Sequence, residues 1–216
     1  MAALFPRWSN TAVRVFVIAV LAGGATAIAA PMIWVRTPWA RHQNEPIDQP
    51  VQFDHRHHSQ DDGIDCVFCH TSVFRAGNAG IPTTEKCMGC HSQVWNQSVT
   101  LEPVRRAYFS GMPLPWNQVH DLPDFAYFNH AIHVNKGVGC STCHGRVNEM
   151  GLVYQVAPLT MGWCLDCHRN PAAHLRPLSR ITDMYFVPED QSAAVRAKLQ
   201  RGLGVQSLMD CYSCHR

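Results

Sequence analysis

The stretch Trp116–His144, WNQVHDLPDFAYFNHAIHVNKGVGCSTCH, contains both parts of one cofactor site. It ends in C-x-x-C-H, formed by Cys140, Cys143 and His144, and three further histidines precede that motif. Two thiols three positions apart project from one helical turn, and the histidine that follows can reach a metal on the same side. C-x-x-C-H is the attachment signal for haem c, so the stretch predicts a haem with ligands on both faces.

The motif occurs five times and uses all ten cysteines. In chain order, sites 1 to 5 are Cys66/Cys69/His70, Cys87/Cys90/His91, Cys140/Cys143/His144, Cys164/Cys167/His168 and Cys211/Cys214/His215. Four-cysteine zinc sites and five disulfides are the alternatives, but neither explains a histidine after every second cysteine. We therefore predict five covalently bound c-type haems, each with the motif histidine as the proximal ligand of its iron.

A second pattern, F-x-H-x-x-H, occurs twice, before site 1 and before site 3. It is formed by Phe53, His55 and His58 in the first copy and by Phe128, His130 and His133 in the second. Histidines three apart on a helical turn diverge enough to reach two different irons, and the phenylalanine can pack on a porphyrin. Two surface histidines are the alternative. Because the pattern repeats beside haem motifs, we predict that these four histidines are distal ligands.

One iron then lacks a distal ligand. The candidates are His57, His120, His174, Met112, Met150, Met161 and Met209. We favour His120, which lies in a loop bounded by prolines, with Met161 as the alternative because a thioether also binds haem iron. Methionine is also a common packing residue, and His42 reads as a solvated histidine of a linker.

The N-terminal region contains 21 uncharged, mostly apolar residues, Val15–Val35, preceded by Arg7 and Arg14. A helix of that length can cross a ~30 Å hydrocarbon layer. We predict a single-pass anchor with a cytoplasmic N-terminus and the haem region on the periplasmic side. A cleaved signal peptide is the alternative, since Ala27–Ala29 (Ala-Ile-Ala) resembles a cleavage site.

These patterns predict an anchor over 1–36, a linker over 37–50 and a pentahaem cytochrome c domain over 51–216. The domain divides into units 51–127 and 128–180, followed by a C-terminal helix and the fifth site in 181–216. The predicted fold is mostly coil with short α-helices around five haems and little strand. We also expect short helical turns within 100–123 and a helix that begins with the proline and acids of 188–190 and ends at Gly202. A net charge of +2 gives no reason to expect a nucleic-acid partner.

The units of F-x-H-x-x-H followed by C-x-x-C-H resemble the c3- and c7-type multihaem cytochromes. The stretches KCMGCHSQVW, LEPVRRAY, VHDLPDFAYFNHAIHVNKGVGCSTCHGRV and MGWCLDCHRNP more closely resemble the membrane-anchored pentahaem subunit of bacterial alternative complex III. The resemblance implies that His55 faces the iron of site 1 and His130 that of site 3, while His58 and His133 serve two of the other three. It also implies an iron-sulfur subunit, polytopic quinol-binding subunits and a monohaem cytochrome as partners.

The expected function is electron transfer from a quinol-oxidising membrane complex to a soluble carrier or terminal oxidase, without catalysis by this chain alone. A multihaem reductase such as a nitrite reductase is one alternative, but it needs an open coordination position and often a lysine in the motif. A self-contained quinol dehydrogenase cytochrome is another. The span Val15–Val35 offers no ionisable residue to take up quinol protons.

Overall fold

The computed structural model describes residues 5–215, and they form two compact units, Met1–His42 and Gln43–Arg216. The first unit consists of one long helix, α1 (Ser9–Trp34), followed by a 3₁₀ turn, Trp39–Arg41. At 1.5 Å per residue, the 26 residues of α1 extend about 39 Å. Its most apolar 18-residue window has a mean hydropathy of 2.1 and no buried residue. The helix is compatible with a membrane anchor or a signal sequence.

The second unit is built from short helices joined by loops. They are α2 (Cys66–Cys69), α3 (Thr84–His91), α4 (Glu102–Ser110), α5 (His130–Asn135), α6 (Cys140–His144), α7 (Met161–Arg169) and α8 (Ala193–Gly202). One π-helical turn, Arg56–Asp61, precedes α2. Residues 5–215 contain no β-strand, and their only β-pairings are the isolated bridges Gln43–Gln155 and Val138–Leu175. The structure is therefore helix and coil, as the sequence predicted.

Two helices differ in detail from the sequence prediction. The segment expected to hold short turns contains α4, whose nine residues start with Glu102 and Pro103 and end at Gly111 in the left-handed conformation. The C-terminal helix α8 is capped by the Ser192 hydroxyl, which accepts a hydrogen bond from the Val195 N–H at 3.3 Å. The residues Pro188–Asp190, expected to begin that helix, form a separate 3₁₀ turn. A serine is a better N-cap than a proline because its side chain satisfies a free N–H.

The predicted linker is partly integrated into the second unit, which starts at Gln43. The Asn44 N–H donates to the Gln155 carbonyl at 2.8 Å. Further along, the Asn117 N–H donates to Oε1 of Gln49 at 2.9 Å. Residues 43–50 are thus held by hydrogen bonds to distant parts of the chain.

The apolar side chains of the second unit form two small clusters. One is centred on Val51, Met88 and Val104, and the other on Val73, Val134 and Ile181. Many large apolar side chains elsewhere are exposed, including Phe68, Phe128 and Ile132. The protein's own side chains thus make little core, and a chain of this kind needs other apolar groups to complete its interior.

Candidate functional site

The attachment motifs lie on helical turns that have defined starts. Asp65 caps α2 by accepting from the Val67 N–H, and Thr160 caps α7 by accepting from the Trp163 N–H. The fifth motif lies on a 3₁₀ turn, Cys211–Ser213, which Asp210 caps. Because each motif contains one turn of helix, its two thiols are presented on the same side.

All ten cysteines are free thiols in the structure. Burial raises the pKa of Cys66 to about 11 and that of Cys143 to about 12. Residues 5–215 also contain no group of three or more His, Cys, Asp or Glu placed to hold a metal ion by themselves.

Four of the five motif histidines hydrogen-bond a backbone carbonyl through Nδ1. The distances are 2.8 Å from His70 to Gly80, 3.0 Å from His91 to Val94, 2.9 Å from His168 to Leu208 and 2.9 Å from His215 to Phe125. A carbonyl only accepts, so Nδ1 carries the hydrogen and Nε2 retains a free lone pair. This arrangement is typical of histidines that bind a metal through Nε2.

The second histidine of each F-x-H-x-x-H unit is held in the same way. His58 donates from Nδ1 to the Asp54 carbonyl and His133 to the Asn129 carbonyl, both at 2.8 Å. His130 bonds the Gly77 carbonyl at 3.0 Å. In all three residues, Nε2 is again the nitrogen left for a metal.

The two F-x-H-x-x-H units have the same geometry. Phe53 meets His55 edge-on at 4.7 Å, and Phe128 meets His130 edge-on at 4.8 Å. Each phenylalanine also stacks on the second histidine of its unit, at 4.4 Å in both copies. The first copy lies on a π-helical turn and the second on α5, so the shared arrangement is kept despite different backbones.

Three histidine pairs are spaced to hold one iron between them. The ring centroids are 6.1 Å apart for His58 and His91, 6.2 Å for His133 and His168, and 6.3 Å for His130 and His144. Two imidazoles that bind one metal from opposite sides, each with a nitrogen about 2 Å from it, hold their centroids roughly 6 Å apart. The geometry therefore fits bis-histidine ligation at sites 2, 4 and 3.

Site 1 is less regular. Burial lowers the pKa of His55 to about 4, and the charge of the nearby His70 adds to the same shift. Nδ1 of His55 is buried and has no hydrogen-bond partner. A buried polar nitrogen without a partner is costly, so a ligand in this position would satisfy it.

His120 lies against site 3. Its ring centroid is 4.3 Å from that of His144, at an interplanar angle of 69°. That separation is too short for an iron between the two rings, and His130 already faces His144. Nε2 of His120 is buried without a partner. Beside His215 of site 5, the structure places the ring of Phe125, at 5.8 Å. The favoured fifth ligand is thus brought to site 3, not to the ring of His215.

The other candidates occupy varied positions. His57 contacts the carboxylates of Asp61 and Asp62, at 3.9 and 3.6 Å. Met112, Met161 and Met209 are exposed, and Met150 is buried. His174 ends the 3₁₀ turn Pro171–His174. None of these positions identifies a ligand for site 5.

Neighbouring attachment sites follow one another in the order 2, 1, 3, 4. Burial is the main cause that raises the pKa of Cys69, Cys66 and Cys143. In each case a cysteine of a neighbouring site is close enough to raise the same pKa further: Cys90 for Cys69, Cys140 for Cys66 and Cys167 for Cys143. Independent contacts support the first step, because the Lys86 ammonium lies 4.4 Å from the centre of the Phe68 ring.

Site 5 is tied to the second F-x-H-x-x-H unit. The Tyr127 N–H donates to the Cys214 carbonyl at 2.8 Å, and His215 bonds the Phe125 carbonyl. The hydroxyl of Ser207 also donates to the His168 carbonyl at 2.6 Å. The fifth motif is therefore held between the segment before His130 and the end of site 4.

Residues 126–216 match the family described as "Cytochrome c7 and related cytochrome c". This part, less than half of the chain, is similar to the multihaem c-type cytochromes. The chain is 34% identical over 98 residues to a protein of Nitratidesulfovibrio vulgaris (strain Hildenborough), the "Menaquinone reductase, multiheme cytochrome c subunit". That match covers 45% of this chain and 46% of the relative.

A second relative is "Cytochrome c-552" of Porphyromonas gingivalis (strain W83), 24% identical over 136 residues. The match covers 55% of this chain and 25% of that protein. The chain thus spans less than half the length of either relative. These similarities agree with the multihaem cytochrome c, and with the haem c, that the motifs predicted.

Sequence reasoning missed one buried charge. Arg176 is 1% exposed and contacts the residues between the two cysteines of site 3. Nothing in the motif spacing indicates it, because it follows site 4 in the chain. The glycine before Cys140, which leaves room for its side chain, was the only available signal.

Proposed function

We propose that the chain is an electron-transfer subunit that holds five c-type haems and connects a quinone-linked membrane module to a carrier. Bound haem supplies one-electron chemistry, and the protein sets ligation, burial and local charge. The observation that carries the proposal is the set of three histidine pairs 6.1–6.3 Å apart, each joining a C-x-x-C-H histidine to an upstream histidine.

The proposed ligands follow from that geometry and from the sequence. The ten cysteines of sites 1 to 5 attach the haems, and His70, His91, His144, His168 and His215 are the proximal ligands. His55, His58, His130 and His133 are the distal ligands of sites 1, 2, 3 and 4, respectively. The distances between rings support the assignment of His58 and His133, which the sequence left open. His120 remains the proposed fifth distal ligand, with Met161 as its alternative. To reach the iron of site 5, the His120 ring would have to leave its contact with His144.

The order of the sites supports transfer along the chain of motifs. In space, site 2 lies next to site 1, site 1 next to site 3 and site 3 next to site 4, so the attachment points form a connected series. A haem iron with an imidazole on each face is six-coordinate and has no open position for a substrate. A paired arrangement therefore favours electron transfer over a nitrite reductase-like reaction at sites 2, 3 and 4.

The proposed assembly is a membrane complex of the alternative complex III type. In it, quinol is oxidised by polytopic subunits, and an iron-sulfur subunit and a monohaem cytochrome are further partners. The apolar helix α1 supports attachment to the cell membrane, with the N-terminus in the cytoplasm and the haem region outside. The electron acceptor is a periplasmic carrier or a terminal oxidase.

A second candidate function is transfer in the opposite direction, towards a quinone. It is favoured by the similarity to the cytochrome subunit of a menaquinone reductase. The test is to purify the complex from native membranes through a C-terminal tag on this chain and to mix it anaerobically with a menaquinol analogue. Rapid haem reduction supports quinol oxidation, whereas oxidation of the pre-reduced complex by the quinone supports the second candidate.

The matched control is the tagged chain purified without its partners. It should take up electrons from dithionite but not from the quinol analogue, because no quinol-binding subunit is present. Quinol oxidation by the isolated chain would instead identify a self-contained quinol dehydrogenase cytochrome.

A further inference from the structure

Arg176 brings a buried positive charge to site 3. Its side chain is among the largest that are fully buried, and its Nη2 donates to the hydroxyls of Ser141 and Thr142 at 3.1 and 3.4 Å. These two residues lie between Cys140 and Cys143 in the site 3 motif. The guanidinium is therefore packed directly against the helical turn that presents both thiols of the site.

No carboxylate pairs with this charge among the described residues. Nη1 of Arg176 donates to the carbonyls of Asp183 and Arg180, at 2.7 and 3.4 Å, so all four acceptors are neutral. The nearest acidic side chains that act on it electrostatically are Asp183 and Glu189. The carboxylate of Asp183 is already in an ion pair with Arg180.

The guanidinium remains charged despite its burial. Burial lowers the pKa of Arg176, but arginine starts from a pKa above roughly 12 and is not deprotonated in proteins. Its Nε has no hydrogen-bond partner, so the charge is incompletely solvated by the protein. The ring of Phe186 covers one side, 5.0 Å from the guanidinium carbon.

The backbone makes room for this side chain at one position. A Cβ on Gly139, the residue before Cys140, would lie 2.1 Å from Cζ of Arg176. Such a contact is impossible without displacing the guanidinium. Glycine at this position therefore allows the charge to approach the attachment motif.

We propose that Arg176 raises the reduction potential of the haem held by site 3. A ferric haem carries one more positive charge than a ferrous one, so a fixed cation in a low-dielectric surrounding disfavours the ferric state. This inference rests on the proposed electron-transfer function and adds a position-specific potential to it. Site 3 lies between sites 1 and 4 in the series, so Arg176 would make an inner site more favourable for an electron than it would be without this charge.

The test compares Arg176→Gln with Arg176→Lys in the full-length chain, by spectroelectrochemical titration with mediators. Arg176→Gln should lower one of the midpoint potentials by about 59 mV, which corresponds to a tenfold change in the oxidised-to-reduced ratio for one electron. Arg176→Lys keeps the charge and should retain most of the potential. Arg180→Gln is the matched control, because that side chain is half exposed and its own carboxylate partner is Asp183.

Site 3 is identified by repeating the titration in a His130→Ala background. Loss of that imidazole should make the iron of site 3 high-spin, so its midpoint can be followed separately. In this background, the midpoint shift of about 59 mV caused by Arg176→Gln should appear in the titration of the high-spin haem. A change confined to the low-spin haems would overturn the assignment to site 3.

A second variant tests the idea while keeping Arg176. Gly139→Ala forces the guanidinium away from the motif, because the added Cβ would overlap it, and should lower the site 3 midpoint without adding a charge. Gly162→Ala is its control, since that glycine precedes site 4 and a Cβ there would meet nothing within 4 Å. This pair decides the question if Arg176→Gln does not fold. Equal midpoints in the two glycine variants, or in wild type and a folded Arg176→Gln chain with five haems, would overturn the inference. The haem count of the wild type reports separately on the proposed function.

Discussion

His130 faces His144 across 6.3 Å, with the planes of the two imidazoles only 16° apart. The other two facing pairs are close to perpendicular, at 70° for His58 and His91 and 66° for His133 and His168. Site 3 therefore differs from sites 2 and 4 in ligand orientation as well as in its contact with Arg176. The relative angle of the ligand planes changes the electron paramagnetic resonance spectrum of low-spin ferric haem, so the difference is measurable.

The first prediction concerns this ligand pair. His130→Ala should leave all haems attached, because the thioether bonds do not involve His130, but should convert one low-spin iron to high spin. Added imidazole should restore the low-spin spectrum by entering the vacated position. The measurement is electron paramagnetic resonance of the oxidised protein, which should lose the signal of the near-parallel pair. Retention of all low-spin signals would show that another residue faces His144.

The second prediction uses the repeat. His58→Ala and His133→Ala should each convert one low-spin iron to high spin, and both lost signals should belong to near-perpendicular pairs. His57→Ala is the matched control, since His57 is adjacent to His58 but contacts Asp61 and Asp62. It should keep every low-spin signal. A high-spin iron in the His57 variant alone would move the distal role from His58 to His57.

The third prediction concerns stoichiometry. The ten cysteines form five complete motifs, so the mass of the denatured chain should exceed that of the polypeptide by five haem groups. Replacing Cys211 and Cys214 by serine should remove one haem and leave the other four. Site 5 is suited to this test because its motif lies on a separate 3₁₀ turn near the end of the described chain. Disulfides or zinc in place of haem would contradict the reading of the motifs.

The fourth prediction concerns α1. If this helix is a retained anchor, the native chain should stay with the membrane after a high-salt wash and require detergent, because the uncharged part of α1 after Arg14 is about long enough for the ~30 Å hydrocarbon layer. A chain starting at Thr37 behind a cleavable export signal should be soluble and still carry its haems. N-terminal sequencing of the native chain distinguishes a retained anchor from a cleaved signal peptide. A mature native chain that starts near Ala30 would identify α1 as a signal peptide.

Local motifs made most of the site predictable. C-x-x-C-H and F-x-H-x-x-H are short patterns whose chemistry is carried by neighbouring residues, so the candidate ligands were readable directly. The partners of His58 and His133 were not, because they depend on how distant helices pack. Arg176 was missed for the same reason, since its contacts with Ser141 and Thr142 join residues 35 and 34 positions apart.

The fold was predictable in class but less so in detail. Low regularity, short helices and an N-terminal apolar helix follow from composition and motif spacing. The start of α8 was misplaced because two signals for a helix N-terminus lie close together: the proline and acids of Pro188–Asp190, and Ser192. The structure shows that the first forms a separate 3₁₀ turn and that the second caps α8. The packing of residues 43–50 on Gln155 and Asn117 also depends on tertiary contacts that have no local signature.

The last prediction concerns His120, whose place beside site 3 makes its role testable in two ways. Its Nε2 is buried without a partner, as a nitrogen that binds a metal would be in a structure without one. The loop is ordered, because Nε2 of Gln118 donates to the His120 carbonyl and to the Asp121 carboxylate, at 3.1 and 3.0 Å. If His120 is the fifth distal ligand, His120→Ala should keep five haems and convert one low-spin iron to high spin, while the near-parallel signal of site 3 remains.

If His120 only packs against His144, the same substitution should instead shift the site 3 signal and leave the number of low-spin irons unchanged. Met161→Ala is the comparison, since Met161 is 66% exposed at the start of α7 and should have no effect on spin state. The wild type should then lack the near-infrared band of histidine-methionine ligation. If the wild type instead shows that band, and the band is lost in Met161→Ala but kept in His120→Ala, then Met161 and not His120 is the distal ligand of site 5. Only one residue can occupy that position on the iron.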